Sequence, residues 1–268
     1  MTDPITGLGR LTLRLVGTLS GAVEFAGATG LLLWRSLASL SRRPYYLGNW
    51  FAQMLEIGNR SMPVVVVTAV FSGAVFTLQT WQGFAKFGAT TMVAFATALA
   101  LTRELIPVLS GLMVAGRAGS AMAAEIGTMM VTEQIDALET LAVDPIKWLV
   151  VPRIVAAAIM LPVVVVIGDF LGIAGGYLVS TTMLGARPAP YWEASFEFIA
   201  TEDVASGLIK AALFGVMIAV FSCVQGLRTR GGAEGVGRAT TGAVVASSMA
   251  ILISDFFLTR ALLVLWDM

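Results

Sequence analysis

Five long apolar segments constrain this chain more than any other feature. A bilayer core requires about 20 consecutive, mostly apolar residues in helical form. Ser61–Phe84 meets that length without a single charge, Phe87–Gly116 is interrupted only by Arg103-Glu104, and Ile154–Leu184 carries one acid, Asp169. Val204–Gly226 carries Lys210, and Ala239–Trp266 carries Asp255 and Arg260. With 57% hydrophobic residues, 13% charged residues and a mean hydropathy of +0.85, the chain is predicted to be an all-α polytopic membrane protein of about five transmembrane helices. The glycines and alanines inside the spans suit close helix–helix approach in lipid.

Several chemistries are excluded at once. The chain has no histidine and one cysteine, Cys223, so it can form no internal disulfide and no histidine-based metal or acid–base site. Its formal net charge is zero, which gives nucleic acid no electrostatic reason to bind. The three lysines, Lys86, Lys147 and Lys210, close no GxxxxGK[ST] loop. The chain therefore holds no cofactor of its own and is expected to be non-catalytic, with energy from an ATPase partner, from an ion gradient, or from neither.

Residues 1–60 are read as cytoplasmic and interfacial, and residues 61–268 as the five-span body. Leu11–Leu40 is apolar, but Arg10 and Arg14 precede it, Arg42 and Arg43 follow it, and Glu24 lies within it, which favours a helix along the membrane surface over a sixth span. Basic residues cluster in the segments that a cytoplasmic N-terminus would leave inside, while the outer segments hold only Lys86 and Arg187. The C-terminus is then periplasmic. Tyr191 and Trp192 in the long outer segment suit a headgroup-level anchor.

VTEQIDALETLAVDP, Val131–Pro145, interrupts the greasy pattern in the inner segment 117–153. Val131, Ile135, Leu138 and Ala142 make one helical stripe, and Glu133, Asp136 and Glu139 fall on the opposite face. Thr132 is a candidate N-cap. Asp144-Pro145 is expected to end this helix, of about three turns, and to begin the next. Such a helix either rests on the membrane with solvated acids or docks into a basic groove of a partner.

Inside the spans, Arg103 and Glu104 carry charges that cost at least about 2.5 kcal/mol each at mid-bilayer unless paired or facing a cavity. Adjacent helical residues point about 100° apart, so they are not expected simply to neutralise each other. Asp169 and Asp255 are either proton-relay carboxylates or ion-pair partners. Lys210 and Arg260 are expected to snorkel outward. Gln79, Leu78, Leu99, Phe71, Phe76, Phe95 and Leu105 surround these points as headgroup and acyl-chain contacts or as ordinary packing. Gly172–Gly176 is a candidate helix–helix or dimer contact.

The run GRAGSAMAAEIGTMMVTEQIDALETLAVDPIKWLVVPRIVA, Gly116–Ala156, together with LTRELIPVLSGLMVAGR, Leu101–Arg117, closely resembles the MlaE/YrbE family of permease subunits of MCE-associated ABC lipid transporters. That resemblance implies a homodimeric permease in a bacterial inner membrane, moving phospholipid between that membrane and an MCE-domain protein that forms a hexameric ring. ATP and Mg would sit on a separate ABC ATPase, and a STAS-domain regulator would complete the set. It implies that the Val131–Pro145 helix is the coupling helix, with Glu125, Glu133, Gln134, Asp136, Ala137, Leu138 and Glu139 at the ATPase contact. It implies a substrate pocket around Arg103, Glu104, Gln79, Leu78, Leu99 and Asp255. The rival readings are a proton-coupled lipid carrier using Asp169 and Asp255, and a structural scaffold for an MCE ring.

Overall fold

The computed structural model describes residues 4–40, 46–90, 92–197 and 199–266. Among the described residues there are helices and no strands. Their order is α1 (Pro4–Leu40), α2 (Leu47–Ala85), α3 (Met92–Val131), α4 (Gln134–Thr140), α5 (Ile146–Thr182), α6 (Pro188–Glu197), α7 (Thr201–Leu227) and α8 (Gly232–Leu265). Five of these, α2, α3, α5, α7 and α8, are long and apolar enough to cross a membrane. An odd number of spans puts the start of α2 and the end of α8 on opposite faces.

The spans overshoot their apolar cores. α2 has 39 residues, about 58 Å of helix. Its first turns carry Asn49, Glu56 and Arg60 and run unbroken through residues 60 and 61, with Arg60 bonded to Glu56 at 2.6 Å. α1 packs on the start of α5 and on α7. Leu32 is buried there, Phe25 meets Phe221 with ring centroids 5.6 Å apart, and Glu24 pairs with Arg228. Arg42 and Arg43, part of the basic flank read from the sequence, lie outside the described residues, as do the side chains of Arg10 and Arg14.

The most extensive helix pairing in the bundle is α2–α5. Ser61, Val65, Ala69, Gly73 and Thr77 recur every four residues along the buried side of α2. Gly168, Gly172, Gly175 and Gly176 answer from α5. A Cβ at Gly73 would overlap the Gly172 carbonyl oxygen, and one at Gly175 would overlap the Val70 carbonyl. Backbone meets backbone because both faces are small. The Gly172–Gly176 run is thus a contact within one chain.

Three π turns interrupt the spans, at Leu101–Leu105, Ala115–Gly119 and Ile146–Val150. The first and third share a cause visible in the sequence. Pro107 and Pro152 follow two residues after each turn, and proline has no N–H for the carbonyl four residues back. The wider register closes first, with Ile106 N–H donating to Leu101 and Val151 N–H to Ile146.

α4 is shorter than expected. Val131 belongs to α3, and Thr132 terminates α3 rather than capping α4, its hydroxyl donating to Thr128 O at 2.8 Å. Glu133 then takes a left-handed backbone (φ 59°), and α4 runs only seven residues, about 10 Å. Ala142 is also left-handed (φ 58°). Val143 N–H donates to Leu138 O at 3.0 Å and Ala142 N–H to Glu139 O at 2.9 Å, the helix-ending pattern usually given to glycine. Asp144-Pro145 begins α5 as expected but does not end α4, which has already stopped at Thr140: the Asp144 carboxylate accepts the Ile146 N–H at 3.0 Å, and Pro145 holds helical angles.

Candidate functional site

The π turn at Leu101–Leu105 presents Arg103 and Glu104 to α7, where both find partners. Arg103 pairs with Asp203, in the first turn of α7. Glu104 accepts from Lys210 Nζ at 2.6 Å. Asp203 and Lys210 are seven residues apart, two turns on one face of α7 and about 10 Å along its axis. The two adjacent charges of α3 therefore do not neutralise each other, as their angular separation requires. They diverge to two rungs of one neighbouring helix.

Lys210 was expected to snorkel to the surface, and it does not. It has no exposed surface. It lies 3.1 Å from Asp255 Oδ1, donates to Thr259 Oγ1 at 2.7 Å and to the Arg103 carbonyl at 3.2 Å. That carbonyl is the one Pro107 cannot serve, so a side-chain ammonium supplies the missing donor. A buried ammonium is tolerable only with such a full set of partners. Asp203 is fixed as tightly, its Oδ2 accepting the Ala200 N–H at 2.9 Å as part of the α7 N-terminus.

The exposures divide the network by role. Lys210 and Asp203 side chains are 0% and 3% exposed, whereas Arg103 and Glu104 keep 26% and 38%. The hidden pair holds the visible pair. Arg103 and Glu104 face a cavity of about 370 Å³ between α3, α7 and α8. Phe95, Leu99, Leu262 and Leu263 form its apolar wall, and Ser206 and Thr259 complete its polar end.

The other expected pocket residues are placed differently. Asp255 reaches this cavity through Lys210 rather than by lining it. Gln79 is exposed and lines a separate hollow of about 380 Å³ with Phe71, Phe76, Leu105 and Leu109. Leu78 is half-buried on α2 and lines neither hollow. Asp169 is buried on α5, and its Oδ1 has no hydrogen-bond partner among the described residues. Asp203, Ser206 and Thr259 were missed in the sequence. A readable signal existed for Asp203, an acid at the third position of a helix where it meets the exposed N–H groups. Tyr191, expected at the headgroup level, is buried on α6 beside Tyr177, with centroids 6.2 Å apart.

At the opposite end of α3, α4 packs on its last turns. Ile135 is buried and Leu138 half-buried, while Glu133, Gln134, Asp136, Ala137 and Glu139 are exposed. Glu125 is exposed as well, on the last turns of α3 rather than on α4, and it pairs with Arg153 at 2.7 Å.

A helical bundle with a polar-ended apolar cavity near one end and a short acidic helix at the other has a build that suits a membrane permease. The comparisons with known proteins agree. The sequence profile of the family described as Permease MlaE matches residues 50–261. A probable ABC transporter permease protein of Rickettsia conorii is 50% identical over 241 residues, 89% of this chain and 93% of the relative. One from Synechocystis is 48% identical over 211 residues, 79% of this chain and 80% of the relative. The chloroplastic protein trigalactosyldiacylglycerol 1 of Arabidopsis thaliana is 39% identical over 211 residues, 79% of this chain and 60% of the relative. The chain belongs to the MlaE permease family and is an ABC transporter permease by that membership, which implies an ATPase partner.

Proposed function

We propose that this permease moves phospholipid, driven by a separate ABC ATPase and in exchange with an MCE-domain partner. The cavity between α3, α7 and α8 carries the reading. Its wall of Phe95, Leu99, Leu262 and Leu263 suits acyl chain, and its charged end suits a phosphate or glycerol oxygen on Arg103. The name of the Arabidopsis relative contains a galactolipid, which supports a glycerolipid cargo. The mechanism needs no covalent step. Nucleotide-driven closure of two ATPases would move two α4 helices, and two permease copies would rearrange around the lipid. Exposed Leu252, Ile253, Phe256 and Phe257 on α8 offer an apolar face for lipid or for that second copy. Orientation follows the charge bias, with α4 cytoplasmic in a bacterial inner membrane and the C-terminus periplasmic.

The deciding experiment is ATP-dependent transfer of a fluorescent phospholipid in proteoliposomes holding permease, ATPase and MCE partner. Leu99→Trp fills the cavity without touching the ion pairs and is expected to cut transfer at least tenfold while the complex stays assembled. Transfer at the wild-type rate would reject this cavity as the lipid path. Transfer that persists with a hydrolysis-dead ATPase, and is lost in Asp169→Asn, would transfer support to the proton-coupled carrier.

The acidic face of α4 makes a second prediction. Asp136→Lys combined with Glu139→Lys is expected to lower co-purification of the ATPase about tenfold, since like charges across an interface cost several kcal/mol. Both side chains are exposed, so folding is not expected to change. Undiminished co-purification would remove α4 from the interface.

A further inference from the structure

We propose that the Glu125–Arg153 ion pair is a clasp that closes the base of the α4 loop, so that movement of α4 travels up α3 to the charged cavity instead of being absorbed locally. The inference rests on the reading of α4 as the ATPase contact.

Glu125 lies on the last turns of α3, just before α4, and Arg153 lies in the first turns of α5, just after it. Their 2.7 Å contact joins the two stems that carry α4. The pair is asymmetric. The Arg153 side chain is 2% exposed and Glu125 56%. Water can replace Arg153 as the partner of Glu125, but among the described residues Arg153 has no second carboxylate to take the place of Glu125. Arg153 also donates to Leu149 O at 2.9 Å, in the π turn of its own helix, and its Nε has no hydrogen-bond partner among the described residues. Opening the clasp would strand a buried guanidinium, so the stems are held to move together.

The same stretch of α3 is seated flush on α7. A Cβ at Gly226 would come within 2.7 Å of Ile126 Cβ, and one at Gly127 within 2.8 Å of Thr229 Oγ1. From Glu125 the helix continues unbroken to Glu104, 21 residues away, about 32 Å. It passes one π turn at Ala115–Gly119 and ends in another at Leu101–Leu105. Push on α4 thus has a continuous, laterally braced path to the residues that face the cavity. Glu125 acts through Arg153 and is a positioning residue.

Glu125→Gln keeps the shape and removes the charge. Hydrogen exchange of the purified full-length permease reads the clasp directly. Amides of residues 132–148 are expected to exchange at least tenfold faster in Glu125→Gln, with α2 and the middle of α5 unchanged. Unchanged exchange in 132–148 would overturn the clasp. In the complex with ATPase and MCE partner, ATP hydrolysis is expected to stay within twofold while phospholipid transferred per ATP falls at least fivefold. An unaltered transfer-to-hydrolysis ratio, or loss of the ATPase from the complex, would overturn the proposal, the latter by making Glu125 a docking contact. If the wild-type complex itself shows no ATP-dependent lipid transfer, the transport reading fails, and the exchange measurement still decides the clasp.

Discussion

Lys210→Met is expected to destabilise the permease by about 3–5 kcal/mol, the usual cost of removing one member of a buried ion pair. Lys210 has no exposed surface and serves Glu104, Asp255, Thr259 and the Arg103 carbonyl, so its loss leaves two carboxylates and a backbone oxygen uncompensated. Most of that cost is stranded charge rather than lost attraction. Neutralising the partners as well, in Lys210→Met with Glu104→Gln and Asp255→Asn, is therefore expected to recover more than half of it. Thermal unfolding in detergent reads both variants. A single mutant that melts with the wild type, or a triple mutant that melts below the single one, would contradict the network as described. Transport separates the two roles further. The triple mutant is expected to fold and yet to transfer little lipid, because Glu104 no longer presents a charge to the cavity.

Gly73→Val carries the other large effect. A Cβ at Gly73 would overlap the Gly172 carbonyl oxygen, and a backbone atom cannot swing aside as a side chain does. The α2 and α5 helices must part along the stripe of Ser61, Ala69, Gly73 and Thr77. The cost is expected to exceed the about 1–3 kcal/mol of ordinary overpacking. Gly83→Val is the control, on the same helix with nothing within 4 Å of a new Cβ. Monodispersity and thermal unfolding are expected to collapse for Gly73→Val and to stay near wild type for Gly83→Val. Equal behaviour would mean that α2 and α5 are not in backbone contact in the membrane.

Much of the site was half-legible. Arg103 and Glu104 stood out as charges in an apolar span, and Leu99 was grouped with them; all three line one cavity. Gln79 was grouped there too, yet it lies in a different hollow between α2 and α3. Lys210 was misread because its position near the start of α7 says nothing about what stands beside it. Its partners Glu104 and Thr259 are 106 and 49 residues away along the chain. No periodicity encodes a contact of that separation.

The loop around α4 divides in the same way. Ile135 and Leu138 on one face, the acids on the other, and a new helix begun at Asp144-Pro145 follow from local rules and hold in the fold. The length of α4 does not, because both of its boundaries are set by left-handed residues, Glu133 and Ala142, of types that seldom adopt that backbone. By itself the sequence determined five membrane-length helices, the absence of histidine chemistry, and an acidic helix between the second and third spans, since these depend on composition and short-range spacing. Which helices touch, which charges meet, and where α4 begins and ends were decided by the tertiary structure. Those outcomes depend on glycine faces that let backbones meet and on buried charges that had to find a partner on another helix.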